Sequence, residues 1–328
     1  LVMKIIVYAF GGDNSPLAVI QGSADAVKSL GVNVVLSGDE NKIKQVAKDN
    51  NISLDGIDII HADTVMDIHE EPTKVIKERK DCSMAVGLQA LADNLGDAFV
   101  CAGSTGALVV GSTFIAKRIK GIKRPALAPI MPNETGYFIL LDAGANVDCR
   151  PEMIVQFAIM GSTYMNKVMG ISNPKVGLIN VGAEDTKGRE IEKEAYQLLQ
   201  KAPINFCGNC EARDIPSGKF DVVVSDGFTG NVTLKLYEGM AKFFGNELKS
   251  MLTSGFKSKL GAVLLMDKVK SFKNKVDYKE VGGAVLLGIS KPVIKAHGSS
   301  DARAFYNAIR QAKQCVEGNI IDTIKSNI

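Results

Sequence analysis

The sequence predicts an α/β protein of three layers, α/β/α, in which helices cover both faces of a largely parallel sheet. Nine short apolar segments rich in β-branched residues recur along the 328 residues, and amphipathic helical patterns separate most of them. This alternation is typical of parallel sheets, whose strands are buried on both faces and so read as continuous apolar runs. A hydrophobic content of 46% provides for a substantial core and excludes a disordered chain.

The predicted strands are short apolar runs, beginning with MKIIVYA near the start of the chain. They cover residues 3–9, 32–37, 57–61, 98–102, 137–142, 175–181, 204–207, 220–225 and 292–296. The predicted helices carry apolar residues at intervals of three and four. They cover residues 16–30, 83–94, 105–119, 151–168, 188–201, 230–252 and 300–325. Without an internal repeat or a low-complexity linker, we expect one domain over residues 3–328, with a lysine-rich helical hairpin inserted at 248–279.

Cellular location is predicted from what the sequence lacks. No apolar run approaches the length of a membrane-spanning helix, and no secretory signal is visible. The six cysteines are scattered and suggest no disulfide framework. The pair Cys207 and Cys210 stands alone, and with only three histidines we expect no metal site. We therefore expect a cytoplasmic protein.

Positive charge is concentrated in one short segment. The whole chain carries a net charge of +3, whereas residues 248–279 contain eight lysines and two aspartates and carry +6. The remainder of the chain is therefore net negative. This distribution argues against a nucleic-acid-binding protein and favours one local cationic surface.

Six predicted strands end in turns that combine glycine with hydroxyl, amide or charged side chains. The turns are Gly11–Pro16, Gly103–Gly106, Asp142–Asp148, Gly182–Gly188, Asp226–Asn231 and His297–Asp301. The carboxyl ends of parallel strands are where ligands bind in open α/β sheets. Glycine permits close backbone approach, and helix N-termini present free N–H groups. One such turn can serve folding alone, but six together predict a site for a small anion, most simply phosphate.

Several common catalytic motifs are missing. The sequence contains no Gly-x-Gly-x-x-Gly after a strand, no phosphate-binding loop ending in Gly-Lys-Ser/Thr, and no Gly-x-Ser-x-Gly. The chain therefore offers an anion site without an obvious protein nucleophile. One economical interpretation is that bound phosphate itself attacks, while the protein positions it and stabilises the oxyanion.

The lysine-rich segment has a basic amphipathic pattern. Apolar residues recur at helical spacing, and glycines interrupt them, which predicts a helical hairpin rather than one long helix. The residues expected to make contacts are Phe256, Lys257, Lys259, Leu260, Leu264 and Lys268. An anionic membrane surface, an acidic protein partner and a second subunit are all compatible with this pattern.

Taken in order, the turn motifs resemble those of one known family. They read Gly11-Gly12-Asp13-x-x-Pro16, Ala102-Gly103-Ser104-Thr105-Gly106-Ala107, Leu141-Asp142-Ala143-Gly144-Ala145-Asn146-Val147-Asp148, Gln156-Phe157-Ala158-Ile159-Met160-Gly161-Ser162, Asp226-Gly227-Phe228-Thr229-Gly230-Asn231 and Ala296-His297-Gly298-Ser299-Ser300-Asp301-Ala302. Together they closely resemble the bacterial phosphate acyltransferase family, PlsX. The resemblance extends from Met3 to about Arg310.

The resemblance implies an enzyme that transfers a long-chain acyl group from acyl carrier protein to inorganic phosphate. The product is an acyl phosphate for phospholipid synthesis. It also implies a fold related to phosphotransacetylases and isopropylmalate-type dehydrogenases, a homodimer, and no metal or organic cofactor. Members of this family associate peripherally with membranes, and residues 248–279 match their basic, hydrophobic helical pair.

From the resemblance we expect direct attack of phosphate on the thioester carbonyl. Lys187 would neutralise phosphate or the oxyanion, and His297 would assist the leaving thiolate; an exposed turn lysine and a helix-capping histidine are the structural alternatives. The residues expected to cradle or orient phosphate are Gly11, Gly12, Asp13, Gly103, Ser104, Thr105, Gly106, Asn146, Asp148 and Asn231.

Two positions depart from the family pattern. Tyr8 stands where the family usually has aspartate, and Ser104 where it usually has asparagine. Three alternatives to the family activity therefore stay open: a short-chain phosphotransacylase acting on coenzyme A thioesters, a dehydrogenase on the related fold, and a catalytically silent scaffold at the membrane.

Overall fold

A computed structural model describes residues 2–276 and 280–328 and confirms the mixed α/β class. The strands are β1 (Lys4–Tyr8), β2 (Asn33–Gly38), β3 (Ile57–His61), β4 (Ala98–Cys101), β5 (Ala126–Ala128), β6 (Ile130–Pro132), β7 (Tyr137–Leu141), β8 (Lys175–Asn180), β9 (Asn205–Glu211), β10 (Val222–Val224), β11 (Gly283–Leu287) and β12 (Val293–Ala296). All nine predicted strands are present, and β5, β6 and β11 were not predicted.

Twelve α-helices lie in the described part of the chain. They are α1 (Leu17–Leu30), α2 (Glu40–Asp49), α3 (Lys74–Lys77), α4 (Ser83–Ala92), α5 (Thr105–Gly111), α6 (Pro151–Lys167), α7 (Glu190–Leu199), α8 (Gly227–Thr253), α9 (Phe256–Leu264), α10 (Met266–Val276), α11 (Ala302–Glu317) and α12 (Ile320–Asn327). A π-helical segment, Ser112–Lys117, continues α5, and a 3-10 turn covers Ala212–Ser217.

The strands form two sheets rather than the single sheet that the sequence suggested. A seven-stranded sheet has the order β3-β2-β1-β4-β12-β11-β5, and a five-stranded sheet has the order β6-β7-β10-β8-β9. Neighbouring strands are parallel except where β11, β5 and β6 pair with their neighbours. The chain passes between the sheets at Pro129, which separates β5 from β6. These two strands have three residues each, too few to show a periodic pattern.

The inner strands of both sheets are buried on their two faces, which explains their continuous apolar sequences. The side chains of β1 from Ile5 to Val7 and all of β4 have no accessible surface. Helix α1 packs closely on α11, because Gly22 lets the two backbones approach: a Cβ at Gly22 would lie 2.4 Å from the Ala302 carbonyl oxygen. The helices that cover the two sheets are also joined to each other, because Gln311 Nε2 of α11 donates to Tyr164 Oη of α6 at 3.1 Å.

The observed helix boundaries differ from the expected ones most informatively at three places. Helix α1 begins at Leu17, and the Ser15 hydroxyl donates to the Gly12 carbonyl instead of capping the helix. The helix expected over 105–119 becomes π-helical after Gly111. The helix expected over 300–325 is divided near Asn319, whose positive φ of 46° ends regular helix geometry.

The lysine-rich insertion consists of the far end of α8 followed by α9 and α10. Helix α9 contains no buried residue, and Phe256 and Leu264 are 84% and 82% exposed. Helix α9 packs against α8 and α10. Residues 277–279 of the predicted insertion lie outside the described residues. Of the helices described here, none has the length and apolar composition to span a membrane.

Candidate active site

Three of the glycine-rich turns meet at the carboxyl edge of the seven-stranded sheet. The Asp13 N–H donates to the Gly298 carbonyl oxygen at 2.8 Å. A Cβ at Gly12, whose φ is +91°, would lie 2.8 Å from that same oxygen. A Cβ at Gly11 would lie 2.7 Å from the Gly103 nitrogen. Residues 11–13, 103–106 and 297–299 therefore form one surface, which we call the glycine-turn cluster.

Helix α5 begins in the glycine-turn cluster. Ser104 is its N-cap, with the side-chain oxygen accepting from the Ala107 N–H at 3.4 Å. Thr105 and Gly106 form its first turn, where backbone N–H groups lack helical partners. The cluster thus provides several donors and the positive end of a helix dipole, which suit an anion.

Tyr8 lies directly beneath the glycine-turn cluster. Its side chain is 1% exposed, and its ring occupies the space next to Gly11 and Gly103. Burial raises the pKa of Tyr8 well above the ordinary value, while a hydrogen bond with Ser83 opposes that shift. The Tyr8 phenol is therefore a neutral packing group below the turns.

His297 is a neutral imidazole at the edge of the glycine-turn cluster. Its Nδ1 accepts from the Ser299 N–H at 3.1 Å, which leaves the neutral ring's proton on Nε2. Burial lowers the pKa of His297; Glu238 raises it and Lys235 lowers it. The helix-capping alternative for His297 is wrong, because Asp301 caps α11 by accepting from Ala304 N–H at 3.0 Å.

The other three turns meet at the carboxyl edge of the five-stranded sheet. We call residues 142–148, 180–189 and 225–231 the carboxylate-turn cluster. Asp142 is fully buried at its centre and accepts backbone N–H bonds from Leu127 at 2.8 Å and from Asn146 at 2.6 Å. Burial raises the pKa of Asp142 in spite of these bonds. The carboxylate organises the turn that contains it.

The two predicted asparagines of this cluster bond to protein groups. Asn146 Nδ2 donates to the Pro125 carbonyl at 2.7 Å and to Asp142 Oδ2 at 3.0 Å. Asn231 Nδ2 donates to the Ala143 carbonyl at 3.2 Å. Asp148 is exposed at the end of the turn. The asparagine amide nitrogens hold the cluster together, so any contact with phosphate would have to use other atoms.

Arg189 and Asp226 form an ion pair that sequence reasoning missed. The Arg189 guanidinium contacts both Asp226 and Glu192, and Asp226 Oδ1 accepts from the Thr229 N–H at 2.6 Å as the N-cap of α8. Burial alone would raise the pKa of Asp226, but these hydrogen bonds hold it below its ordinary value. The partners are 37 residues apart, so no local pattern indicates the pair.

Lys187 lies on the exposed side of the carboxylate-turn cluster. Its carbonyl accepts from Asn180 Nδ2 at 3.0 Å, and its own N–H donates to the Glu184 carbonyl at 3.2 Å. Within the described residues its ammonium group has no carboxylate within 4.0 Å. The structure places Lys187 and His297 in different clusters.

Helix α8 connects the two clusters. It begins at Gly227 in the carboxylate-turn cluster, and eight residues later, about 12 Å along the axis, it reaches Lys235. Lys235 and Glu238 are close enough to His297 for their charges to shift its pKa. Helix α8 therefore extends from the carboxylate-turn cluster to the neighbourhood of the glycine-turn cluster.

A large cavity in the described residues lies away from both clusters. It has a volume of about 1030 Å³ and is lined by α4, the π-helical segment and residues 290–291. It shares no residue with either cluster, so we place the active site by the turns. No group of three or more histidine, cysteine or acidic residues in the described chain is arranged to hold a metal ion.

Comparison with known proteins gives a full-length match. A family described as "Fatty acid synthesis protein" matches residues 3–323. "Phosphate acyltransferase" of Bacillus licheniformis is 48% identical over 328 residues, covering 99% of this chain and 98% of the relative. The protein of the same name from Oceanobacillus iheyensis is 47% identical over 327 residues, covering 99% and 97%.

Solved structures share the fold. A phosphotransacetylase from Streptococcus pyogenes aligns with a TM-score of 0.64 at 18% identity, over 96% of this chain and 94% of that one. A 4-hydroxythreonine-4-phosphate dehydrogenase from Klebsiella pneumoniae aligns with a TM-score of 0.56 at 13% identity, over 96% and 100%. The expected relation to phosphotransacetylase and dehydrogenase folds is confirmed.

Proposed function

The chain belongs to the family of fatty acid synthesis proteins, and on that premise we propose that it is a phosphate acyltransferase. It transfers a long-chain acyl group from acyl carrier protein to inorganic phosphate, forming an acyl phosphate for phospholipid synthesis. Curated relatives at 47% and 48% identity over nearly the whole chain carry the name phosphate acyltransferase.

The observation that carries this proposal is the glycine-turn cluster. Three turns bring backbone N–H groups, the N-terminus of α5 and His297 to one edge of the sheet. This arrangement suits a small tetrahedral anion, which supports phosphate as the attacking group. The cluster also holds the Ser299 hydroxyl 2.9 Å from His297 Nδ1, and the phosphate dependence of thiol release distinguishes attack by phosphate from attack by this hydroxyl.

The proposed step is an acyl transfer without a covalent enzyme intermediate. An oxygen of hydrogen phosphate forms a bond to the thioester carbonyl carbon, and the tetrahedral oxyanion collapses by breaking the carbon–sulfur bond. The proton of hydrogen phosphate ends on the departing thiolate. Lys187 neutralises negative charge during this step, and the neutral His297 can donate its Nε2 proton to sulfur and recover it from phosphate.

The function is tested with palmitoyl-acyl carrier protein in the presence and absence of inorganic phosphate. We expect free thiol and hydroxylamine-trappable acyl phosphate to appear together and only with phosphate. Thiol release without phosphate would instead identify a thioesterase. Release from butyryl-coenzyme A but not from the carrier substrate would identify the short-chain phosphotransacylase, and no release from either would contradict the proposal.

We further propose that the lysine-rich insertion attaches the enzyme peripherally to anionic membranes in the cytoplasm. The exposed apolar side chains of α9, Phe256, Leu260 and Leu264, are accompanied by exposed lysines 257 and 259 and, on α10, Lys268. Apolar insertion combined with lysine attraction to lipid headgroups is a two-part anchor. Sedimentation with phosphatidylglycerol vesicles tests this, and Leu264→Asp should release the protein while leaving carrier turnover in solution intact.

We also propose a homodimer, as the family resemblance implies. Exposed apolar residues on α8, including Leu236, Phe243 and Phe244, supply surface that a second subunit could cover. Light scattering after size-exclusion chromatography tests the assembly, and a mass near 35.1 kDa at every concentration would contradict it.

A further inference from the structure

Lys295 is an unusual residue for its position in the fold. It belongs to β12, an inner strand, where it pairs with Cys101 of β4 and Ala284 of β11. Alternation along the strand places its side chain on the same sheet face as Val293, which packs in a buried apolar cluster with Tyr8. Lysine is among the residues least often buried without a partner.

No carboxylate of residues 2–276 and 280–328 forms an ion pair with the Lys295 ammonium group. Its Nζ donates to the Ala296 carbonyl oxygen at 2.6 Å. Among the described residues, the ionisable groups that act on it are Cys101 and Lys235. Burial lowers the pKa of Lys295, and Lys235 lowers it further. A desolvated cation beside a second cation is unfavourable unless an anion occupies the site.

The position of Lys295 connects it to the glycine-turn cluster. Its cross-strand partner Cys101 accepts the Gly103 N–H through sulfur at 3.2 Å, so the turn that begins α5 adjoins the lysine's neighbour. His297 follows two residues later at the same strand end. Its pKa is lowered by burial and by the charges of Lys295 and Lys235, whereas Glu238 and Asp13 raise it. Lys235 approaches from α8 and is itself paired with Glu238 at 2.8 Å, so it is a partly neutralised second cation near Lys295.

We infer that Lys295 is the principal counter-charge for the phosphate nucleophile, with Lys235 of α8 as a second, outer cation. This inference rests on the proposed function for the identity of the anion as a substrate. Lys295 holds the dianion below the glycine turns while one oxygen attacks the carbonyl carbon and the thiolate leaves with the proton of hydrogen phosphate. Neither lysine exchanges a proton or an electron in this step.

The chain contains a matched control in Lys291, four residues earlier and next to the opposite end of β12. Lys291 is also partly buried, and its Nζ donates to a backbone carbonyl, that of Gly96, at 2.9 Å. Burial lowers the pKa of Lys291 as well, but Asp97 supplies a nearby negative charge. Lys291 is thus a half-buried lysine whose surroundings already include an acid.

The test compares Lys295→Met with Lys291→Met, since methionine keeps most of the volume and removes the charge. Isothermal titration with inorganic phosphate alone should show affinity lowered about 100-fold in Lys295→Met and unchanged in Lys291→Met. In the carrier assay, the KM for phosphate should rise similarly for Lys295→Met, with the KM for palmitoyl-acyl carrier protein unchanged. Lys295→Arg should recover part of the phosphate affinity.

Failure of this inference is separable from failure of the proposed function. Wild-type phosphate affinity in a folded Lys295→Met protein overturns the inference, even if the enzyme is active. Lysine-dependent phosphate binding without thioester cleavage supports the anion site and contradicts the acyltransferase. If Lys295→Met does not fold, the phosphate affinity of Lys235→Met, a substitution at an exposed position, is measured instead. An affinity lowered about fivefold supports the inference, and an unchanged affinity overturns it.

Discussion

The two turn clusters contain similar residue types in the sequence, but their polar groups have different partners. In the carboxylate-turn cluster, Asp142 and Asn146 bond to backbone groups, and Asp226 bonds to Arg189. In the glycine-turn cluster, turns are joined through backbone atoms, and the charges that act on His297 are those of Lys295 and Lys235 together with Glu238 and Asp13. The difference suggests that one cluster is a framework that fixes α8 and the other receives the anion.

The largest expected effect tests the framework side of the comparison. A Cβ at Gly230 would lie 1.9 Å from the Asp142 carbonyl oxygen. Since backbone at the centre of the carboxylate-turn cluster must move to admit it, Gly230→Ala should lower the free energy of unfolding by about 3 kcal/mol. Urea denaturation followed by circular dichroism measures this.

Gly239→Ala on the same helix is the matched control. A Cβ at Gly239 meets nothing within 4 Å, so alanine should stabilise α8 by about 0.5–1 kcal/mol through its helix propensity. Equal stability changes for the two substitutions would show that the carboxylate-turn cluster is not tightly packed against α8.

Lys187→Ala tests whether the outer edge of the carboxylate-turn cluster takes part in chemistry. Because its ammonium group has no carboxylate partner among the described residues, we expect unchanged stability. Turnover with palmitoyl-acyl carrier protein should fall about 100-fold, or about 2.7 kcal/mol of transition-state stabilisation. Lys201→Ala, at an exposed position after α7, should leave turnover unchanged. Equal turnover in the two variants would show that Lys187 takes no part in the reaction.

The pH dependence of the stability of Asp226→Asn tests the ion pair in the carboxylate-turn cluster. Removing the charge leaves a capping oxygen but breaks the pair with Arg189, which should cost about 2 kcal/mol at pH 7. Since the pKa of Asp226 is lowered in the folded state, its contribution is complete above the unfolded value, about pH 4, and is lost as the pH falls through the folded value. The stability gap between wild type and Asp226→Asn should therefore shrink below about pH 4.

Asp142 does not disturb that measurement. Its pKa is raised by burial, so acidification relieves an unfavourable charge and acts in the opposite direction. Because Asp142 is present in both proteins, its effect cancels in the difference. A gap that stays constant down to pH 3 would mean that the Arg189 pair does not stabilise the folded state.

His297→Asn tests the glycine-turn cluster. Asparagine can accept the Ser299 N–H as Nδ1 does but has no proton to relay to sulfur. Because a pantetheine thiol ionises easily, we expect turnover to fall only about tenfold, with the KM for phosphate nearly unchanged. A large rise in the KM for phosphate would instead show that His297 binds phosphate.

Part of this organisation was predictable from the sequence and part was not. The nine predicted strands are present because continuous apolar runs such as Ile5 to Val7 signal burial on both faces. The six turns were predicted as well, since each strand end is a local feature. The grouping of the turns into two clusters was not predictable, because it follows from the strand order. The crossing between the sheets at Pro129 was not predictable either, because the strands on its two sides have only three residues each.

Long-range partners account for most of the functional residues that were missed. Arg189 pairs with a carboxylate 37 residues away, so nothing beside it in sequence distinguishes it from a surface arginine. Lys295 lies inside a predicted strand, where a lone lysine is typical of an exposed edge. Only the strand order, which puts β12 between β4 and β11, shows that it is a half-buried lysine on an inner strand.

Tyr8→Phe gives the smallest expected effect and bears most directly on the departure from the family pattern. Phenylalanine keeps the ring beneath Gly11 and Gly103 and loses the hydrogen bond with Ser83, so the free energy of unfolding should fall by about 1 kcal/mol. Because the phenol is buried below the turns, kcat/KM for phosphate should stay within about twofold of wild type. A 100-fold loss in a stable Tyr8→Phe protein would show that the hydroxyl acts on the phosphate, and the glycine-turn cluster would then depend on a buried side chain as the carboxylate-turn cluster does.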